Sequence, residues 1–299
     1  MIALKPLLPE SRSLFDPFLQ RTGAPLSAYS FVTHFLWQGH FSFFYHVSQD
    51  HLLLFARYDR CIYMPLPPLG PPDQKIIFDC FDWMDRENPD RAVSRIENIA
   101  EAETGLYRAS GLTVEPKDPE YLCRRIALAE LKGDRYKSQR AACNYFEKQF
   151  QPVGRPYRAA DEGACRDLFR RWAGDRAARH SDTVYRMMLQ DAESVHSRAL
   201  AEADALGLVG RVVAVDEAIV GYTFGFPQNA ETFCVFLEVT DPEKKGGSAY
   251  LFREFCRTLV DFQWINLMDD SGIPSLRRTK ESYRPTQKTG CFLARHGAA

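Results

Sequence analysis

Apolar residues along the first part of the chain gather into short dense runs separated by turn residues. HFSFFYHV (40–47), HLLLFARY (51–58) and CIYMPLP (61–67) are rich in aromatic and aliphatic side chains and predict three neighbouring strands. The run PLPPLGPP (65–72) ends that sheet segment, because proline has no N–H to give to a ladder. The spacing then changes to a helical one: Ile76, Ile77, Cys80, Phe81 and Met84 share one face of DQKIIFDCFDWMDREN (73–88). Short helical pieces precede the strands at 11–23 and 26–37. A second helical stripe, Tyr136, Arg140, Cys143, Phe146 and Phe150, closes the first half.

Two prolines and a glycine in QPVGRP (151–156) interrupt the pattern, and a domain boundary is expected there, giving domains 1–150 and 151–299. Beyond it two helical stretches lead into the strands GRVVAVDE and AIVGYTFGFP, with a tight turn expected at Asp216–Glu217. A third strand, ETFCVFLEV (231–239), runs into EKKGGSAYLF (243–252) and the helix LFREFCRTLV. WINLMDD then reads as a strand, SLRRTKESYRP as a helix and GCFLAR as a last strand. This order predicts an α/β fold with a mixed sheet. The halves also echo one another, each with a hairpin sheet and a basic helix near its end, which suggests duplication.

Composition adds limits to this picture. The 299 residues carry a formal net charge of -1, so any nucleic-acid surface must be a local patch, and no broad DNA-binding face is expected. No run of 18 apolar residues occurs, the start MIALKPLLPESRS has no signal-like core, and the 8 cysteines form no C-x-x-C pair. Reduced, buried cysteines and a cytoplasmic protein without a membrane span are expected. His34, His40, His46 and His51 lie six, six and five apart, which matches no helical ligand pair, and no metal site is expected.

The second-half order, with a glycine loop between a central strand and a helix, resembles the GNAT acyltransferase fold. That family's Q/R-x-x-G-x-G/A segment holds the pyrophosphate of an acyl-CoA on backbone N–H groups at a helix N-terminus. Lys244, Gly247 and Ala249 fall on the pattern, with lysine in place of Gln or Arg, and Gly246 adjoins it. A longer resemblance rests on YLCRRIALAELKGDRYKSQRAACNYFEKQF, through Tyr121, Leu122, Leu131, Gly133, Tyr136, Arg140, Asn144 and Phe146. INLMDDSGIPSLRRTKESYRPTQKTGCFLAR adds a second match in the same order. Both are similar to the catalytic domain of phosphatidylglycerol lysyltransferase and its bacterial relatives. The resemblance implies two fused GNAT-like domains and transfer of an acyl or aminoacyl group to an amine or hydroxyl, with an acyl-CoA or an aminoacyl-tRNA as donor. The competing reading is a ligand- or partner-binding module descended from such a duplication.

Transfer of this kind needs a proton acceptor for the nucleophile and donors for the oxyanion. Glu238, at the end of the strand before the glycine loop, is the expected general base, against a plain role at the sheet edge. Asp269 and Asp270 end the next strand and could meet a donor's α-amino group, or one could cap the following helix. Arg277, Lys280 and Arg284 stand at i, i+3 and i+7 and make one helix face basic, with Tyr283 beside them. That face is either simply solvated or holds a phosphate or carboxylate, with Lys280 its foremost residue. Lys137, Arg140 and Asn144 repeat the spacing in the first half, Arg140 beside the apolar stripe.

Overall fold

The computed structural model describes residues 2–48, 50–179 and 183–297. In chain order the first elements are β1 (Lys5–Pro6), α1 (Arg12–Thr22), α2 (Phe31–Leu36), β2 (Ser42–Ser48), β3 (His51–Tyr58), β4 (Cys61–Tyr63), α3 (Gln74–Glu87), β5 (Arg95–Ala100), α4 (Thr104–Ala109) and β6 (Thr113–Arg124). There follow α5 (Arg125–Glu130), α6 (Lys137–Phe150), β7 (Val153–Pro156), α7 (Glu162–Arg179), α8 (Thr183–Ala201), β8 (Val209–Val215), β9 (Ala218–Pro227) and β10 (Thr232–Thr240). The last are α9 (Gly247–Thr258), β11 (Trp264–Asn266), α10 (Pro274–Ser282) and β12 (Gln287–Arg295). Contacts divide these residues into two compact units.

The first unit holds the chain up to Glu120, with Asp269–Gly272 and the stretch from Lys288 onward. The three predicted strands pair antiparallel in the order β2-β3-β4, and β1, which the sequence pattern did not predict, pairs antiparallel with β2. The stripe Ile76, Ile77, Cys80, Phe81 and Met84 of α3 packs into one apolar cluster with Leu53, Phe55, Ile96, Ile99 and Ala294. Asp73 caps α3 by accepting the Lys75 N–H at 2.8 Å. β12, from the end of the chain, pairs with β5.

The second unit holds Tyr121–Met268 and Ile273–Gln287. From the end of β6 its sheet runs β11-β10-β9-β8-β7, antiparallel except for the parallel pair β10–β11. The β8–β9 turn is at Asp216 (φ 48°) and Glu217 (φ 66°), two positive values in the manner of a tight hairpin. α5 and α6 lie against α9, and α7 packs on β9 and β10. The units therefore divide elsewhere than at 151–156. That stretch is β7, an edge strand, where prolines are tolerated because one side of the strand needs no ladder. Helices α5 and α6, from the first half of the sequence, belong to the second unit, and most of the last strand belongs to the first.

Candidate active site

A single extra residue in β10 decides which way Glu238 points. Phe233 and Val235 face the cluster formed by Phe252, Phe255 and Cys256 of α9. Strict alternation would put Leu237 next on that face and send Glu238 to the other. The register against β9 instead slips between Val235 and Leu237, so a bulge at Phe236 inverts the alternation. Glu238 thereby joins Ser248, Cys256 and Tyr283 on the α9 side.

Beside this bulge the sheet opens. β11 pairs with Thr232, Phe233 and Cys234 only, so the next residues of β10 have no strand on that side among the described residues. Glu238 belongs to this stretch of β10 beyond the β11 pairing, with its carboxyl on the face toward α9. Its Oε1 accepts the Ser248 hydroxyl at 2.7 Å, and its Oε2 is buried without a hydrogen-bond partner among the described residues. Burial raises this carboxyl to about 7, and the Ser248 bond offsets part of that rise.

Ser248 also bonds the side chain of Tyr283. Burial, followed by the charge of Glu238, holds the Tyr283 hydroxyl well above its ordinary range. The tyrosine is fixed from both ends. Its ring centroid is 4.4 Å from that of Phe252, and its carbonyl accepts the Tyr136 hydroxyl at 3.3 Å. Gln139 donates to the neighbouring Ser282 carbonyl at 2.6 Å.

The glycine loop is built largely for helix packing. Gly246 (φ 89°) ends the loop, and a Cβ there would come within 2.4 Å of the Ala142 carbonyl oxygen of α6. A Cβ on Gly247 would meet the Phe146 ring at 3.3 Å. Lys244 Nζ lies 4.9 Å from the Phe150 ring centroid and Lys245 Nζ 5.8 Å from that of Tyr145, so both lysines lean over α6. The Gly247 N–H is taken by Lys244 and the Tyr250 N–H by Gly246. The N–H groups of Ser248 and Ala249, in the first turn of α9, have no such partner among the described residues.

The remaining expected residues are placed differently. Arg140 donates to the Leu131 and Gly133 carbonyls, the latter at 3.0 Å, and so holds the turn after α5 instead of displaying its charge. Lys137 and Asn144 are exposed on α6. Lys280 is half-buried, with its ammonium on the Leu267 carbonyl at the end of β11. Arg277 and Arg284 are exposed, and Arg284 has φ 55°.

Asp269 and Asp270 lie in the first unit, and neither caps α10, whose N-cap is Ile273. Asp269 accepts the Ser271 N–H at 2.8 Å and Asp270 the Gly272 N–H at 3.1 Å, so both close the turn. Burial pushes Cys123, Cys165 and Cys291 up to about 12 and Cys143 up to about 11, so none of these thiols is a ready nucleophile. Ser248 is the site residue that sequence reasoning passed over; a hydroxyl in the first turn after a glycine pair was its one signal.

The arrangement offers a carboxyl that gains and loses a proton near neutrality, beside an open strand edge and a helix start. Comparison with known proteins bears on what that offers. The family model described as phosphatidylglycerol lysyltransferase, C-terminal, matches residues 20–295. The chain belongs to that family. No match is found among curated proteins. Among solved structures, a conserved protein of unknown function from Bacteroides thetaiotaomicron superposes with TM-score 0.88 at 23% identity, over 99% of this chain and 100% of that one. The C-terminal domain of a putative lysylphosphatidylglycerol synthetase from Agrobacterium fabrum gives 0.66 at 13%, over 97% and 92%. A tandem GNAT protein from the clavulanic acid biosynthesis pathway gives 0.54 at 10%, over all of both chains.

This lysyltransferase-family chain thus has a mixed α/β, GNAT-like fold. No helix among its described residues is long and apolar enough to cross a membrane.

Proposed function

We propose that the protein is a cytoplasmic aminoacyltransferase that moves an aminoacyl group from a tRNA-borne ester to an amine or hydroxyl, with Glu238 as the general base. The observation that carries this reading is the carboxyl of Glu238, held at about 7 at the opening between β10 and β11. A base tuned to that range accepts a proton from the nucleophile at neutral pH and returns it. The nucleophile's nitrogen or oxygen attacks the ester carbon, and its proton passes to Glu238. The C–O bond to the tRNA ribose then breaks, and the proton leaves with the ribose hydroxyl. The edge of β10 beyond Cys234, which pairs with no strand on that side among the described residues, would offer backbone N–H groups to the oxyanion.

Family membership favours an aminoacyl donor over acyl-CoA. So does the glycine loop, because Gly246 and Gly247 are explained by their contacts with Ala142 and Phe146. The eight free cysteines suit a reducing compartment. Asp269 and Asp270 remain candidates for the donor's α-amino group, and Arg277, Lys280 and Arg284 for its phosphates.

The test is a transfer assay with mixed, labelled aminoacyl-tRNAs and, separately, labelled acetyl-CoA, each offered with amine and hydroxyl acceptors. Turnover with aminoacyl-tRNA, reduced about a hundredfold or more by Glu238→Gln, is the expected result. Turnover with acetyl-CoA alone would move the reading to an acyltransferase. Binding of either donor without turnover would support the module.

A further inference from the structure

One surface of the second unit takes no part in the chemistry above. Tyr145 of α6 is 48% exposed, while its neighbours Phe146 and Tyr250 are buried where α6 packs on α9. A core role accounts for those two and leaves Tyr145 unexplained. Lys245 Nζ lies 5.8 Å from the Tyr145 ring centroid, and Lys244 Nζ lies 4.9 Å from that of Phe150. The Tyr145 and Phe150 rings are themselves 6.5 Å apart, centroid to centroid. Lys148 follows one turn after Tyr145 on the same helix face. Cations and rings thus alternate along a strip that begins three residues before Ser248, the partner of Glu238.

Arg211 of β8 extends the strip. Its guanidinium lies over Gly154 of β7, where a Cβ would come within 3.0 Å of Nη2, and its Nε is buried without a hydrogen-bond partner among the described residues. Burial, then Glu254 and Glu147, raise the Tyr250 hydroxyl, and Arg253 and Arg211 are near enough to act against that rise. Lys148, Lys244, Lys245 and Arg211 form no ion pair among the described residues. The carboxylates nearby are engaged. Glu147 and Glu254 pair with Arg253 at 3.4 and 2.9 Å, and Asp241 accepts the Glu243 N–H, which leaves Glu243 of the loop to oppose the cations. In a chain of net charge -1, this is a local positive field.

We infer that the acceptor arm of the tRNA donor lies along this strip, its phosphates on Lys148, Lys244, Lys245 and Arg211 and an unpaired base stacked on Tyr145. The inference rests on the aminoacyl-tRNA reading above. Every base has a π-face, so an exposed ring flanked by cations suits single-stranded RNA of any sequence.

The test measures binding of labelled, deacylated bulk tRNA to the full chain by fluorescence anisotropy over a series of KCl concentrations. Donor KM and kcat come from the transfer assay on the same variants. Tyr145→Ala should weaken tRNA binding at least about fivefold, and Tyr145→Phe should keep it. Lys148→Ala, Lys245→Ala and Arg211→Gln should each flatten the slope of log affinity against log salt by about 0.7 to 1. Tyr145, Lys148 and Lys245 are exposed, so their variants should keep the natural thermal midpoint. In transfer, the same variants should raise donor KM far more than they lower kcat. Weakened tRNA binding in these variants, with no transfer by the natural protein, would support the strip and overturn the transferase. Transfer with donor KM unchanged in Tyr145→Ala and Lys245→Ala would overturn the strip and leave the transferase standing. No binding of tRNA by the natural protein, or variants that weaken acetyl-CoA binding and spare tRNA binding, would also overturn the strip.

Discussion

The Ser248 hydroxyl donates to Glu238 Oε1 across 2.7 Å, while the second carboxylate oxygen is buried with no partner among the described residues. One hydrogen bond thus offsets a desolvation that it cannot cancel, and the carboxyl rests near 7. Ser248→Ala removes the bond that favours the charged form, so the apparent pKa should rise. The shift should be up to about one unit, the equivalent of a bond worth roughly 1 kcal/mol. The pH profile of transfer, or direct titration of the carboxyl by NMR, checks this. Ser248→Thr should restore the original value.

Because the folded-state value lies above the unfolded one, this carboxyl favours the folded chain most in its protonated form. Its contribution is complete below the ordinary carboxylate range and is lost as the pH rises through about 7. Glu238→Gln keeps the shape and removes the ionisation. It should therefore raise stability at pH 8 by roughly 2 to 4 kcal/mol, with a much smaller gain at pH 4. Denaturant melts at the two pH values give the comparison. Equal gains at both would contradict the cause assigned to the shift.

Gly246 combines a positive φ with a close approach to Ala142, so Gly246→Ala meets strain and a clash together. It should cost at least about 2 kcal/mol of stability. Gly247→Ala, which meets only the Phe146 ring, should stay within about 1 kcal/mol of the natural protein. A loop built only around a bound phosphate would show the reverse emphasis, with ligand affinity lost and stability kept.

Arg140 supports the turn at Leu131 and Gly133 through two carbonyls. Arg140→Ala should lower stability by roughly 1 to 3 kcal/mol and leave donor affinity unchanged. Equilibrium unfolding and donor binding, measured on the same preparation, separate the two effects.

These outcomes also mark what was readable in the sequence. The strands, the amphipathic α3 and the glycine loop before α9 follow from local composition, because each element buries an apolar set that its own spacing reveals. The division of the chain does not. Helices α5 and α6 join a sheet made mostly of later strands, and β12 pairs with the earlier β5, both long-range choices that no local pattern carries. Glu238 was a candidate by its place at a strand end, yet simple alternation would have turned it to the opposite face. The bulge at Phe236 reverses it, and a bulge between two apolar residues leaves no trace in composition. Arg140 fell on a basic spacing that reads equally as a display of charge or a support for carbonyls; only the position of the Leu131–Gly133 turn distinguishes them.

The central claim is that Glu238 is a base tuned to neutrality at the opening of the sheet. Its most direct test is single-turnover transfer from aminoacyl-tRNA measured from pH 5 to 9, in the natural protein and in Glu238→Gln. The rate should rise through an apparent pKa near 7 and reach a plateau, and the glutamine variant should be slower by about a hundredfold or more without that inflection. A profile that is flat across this range, or a glutamine variant within a few-fold of the natural rate, would contradict it.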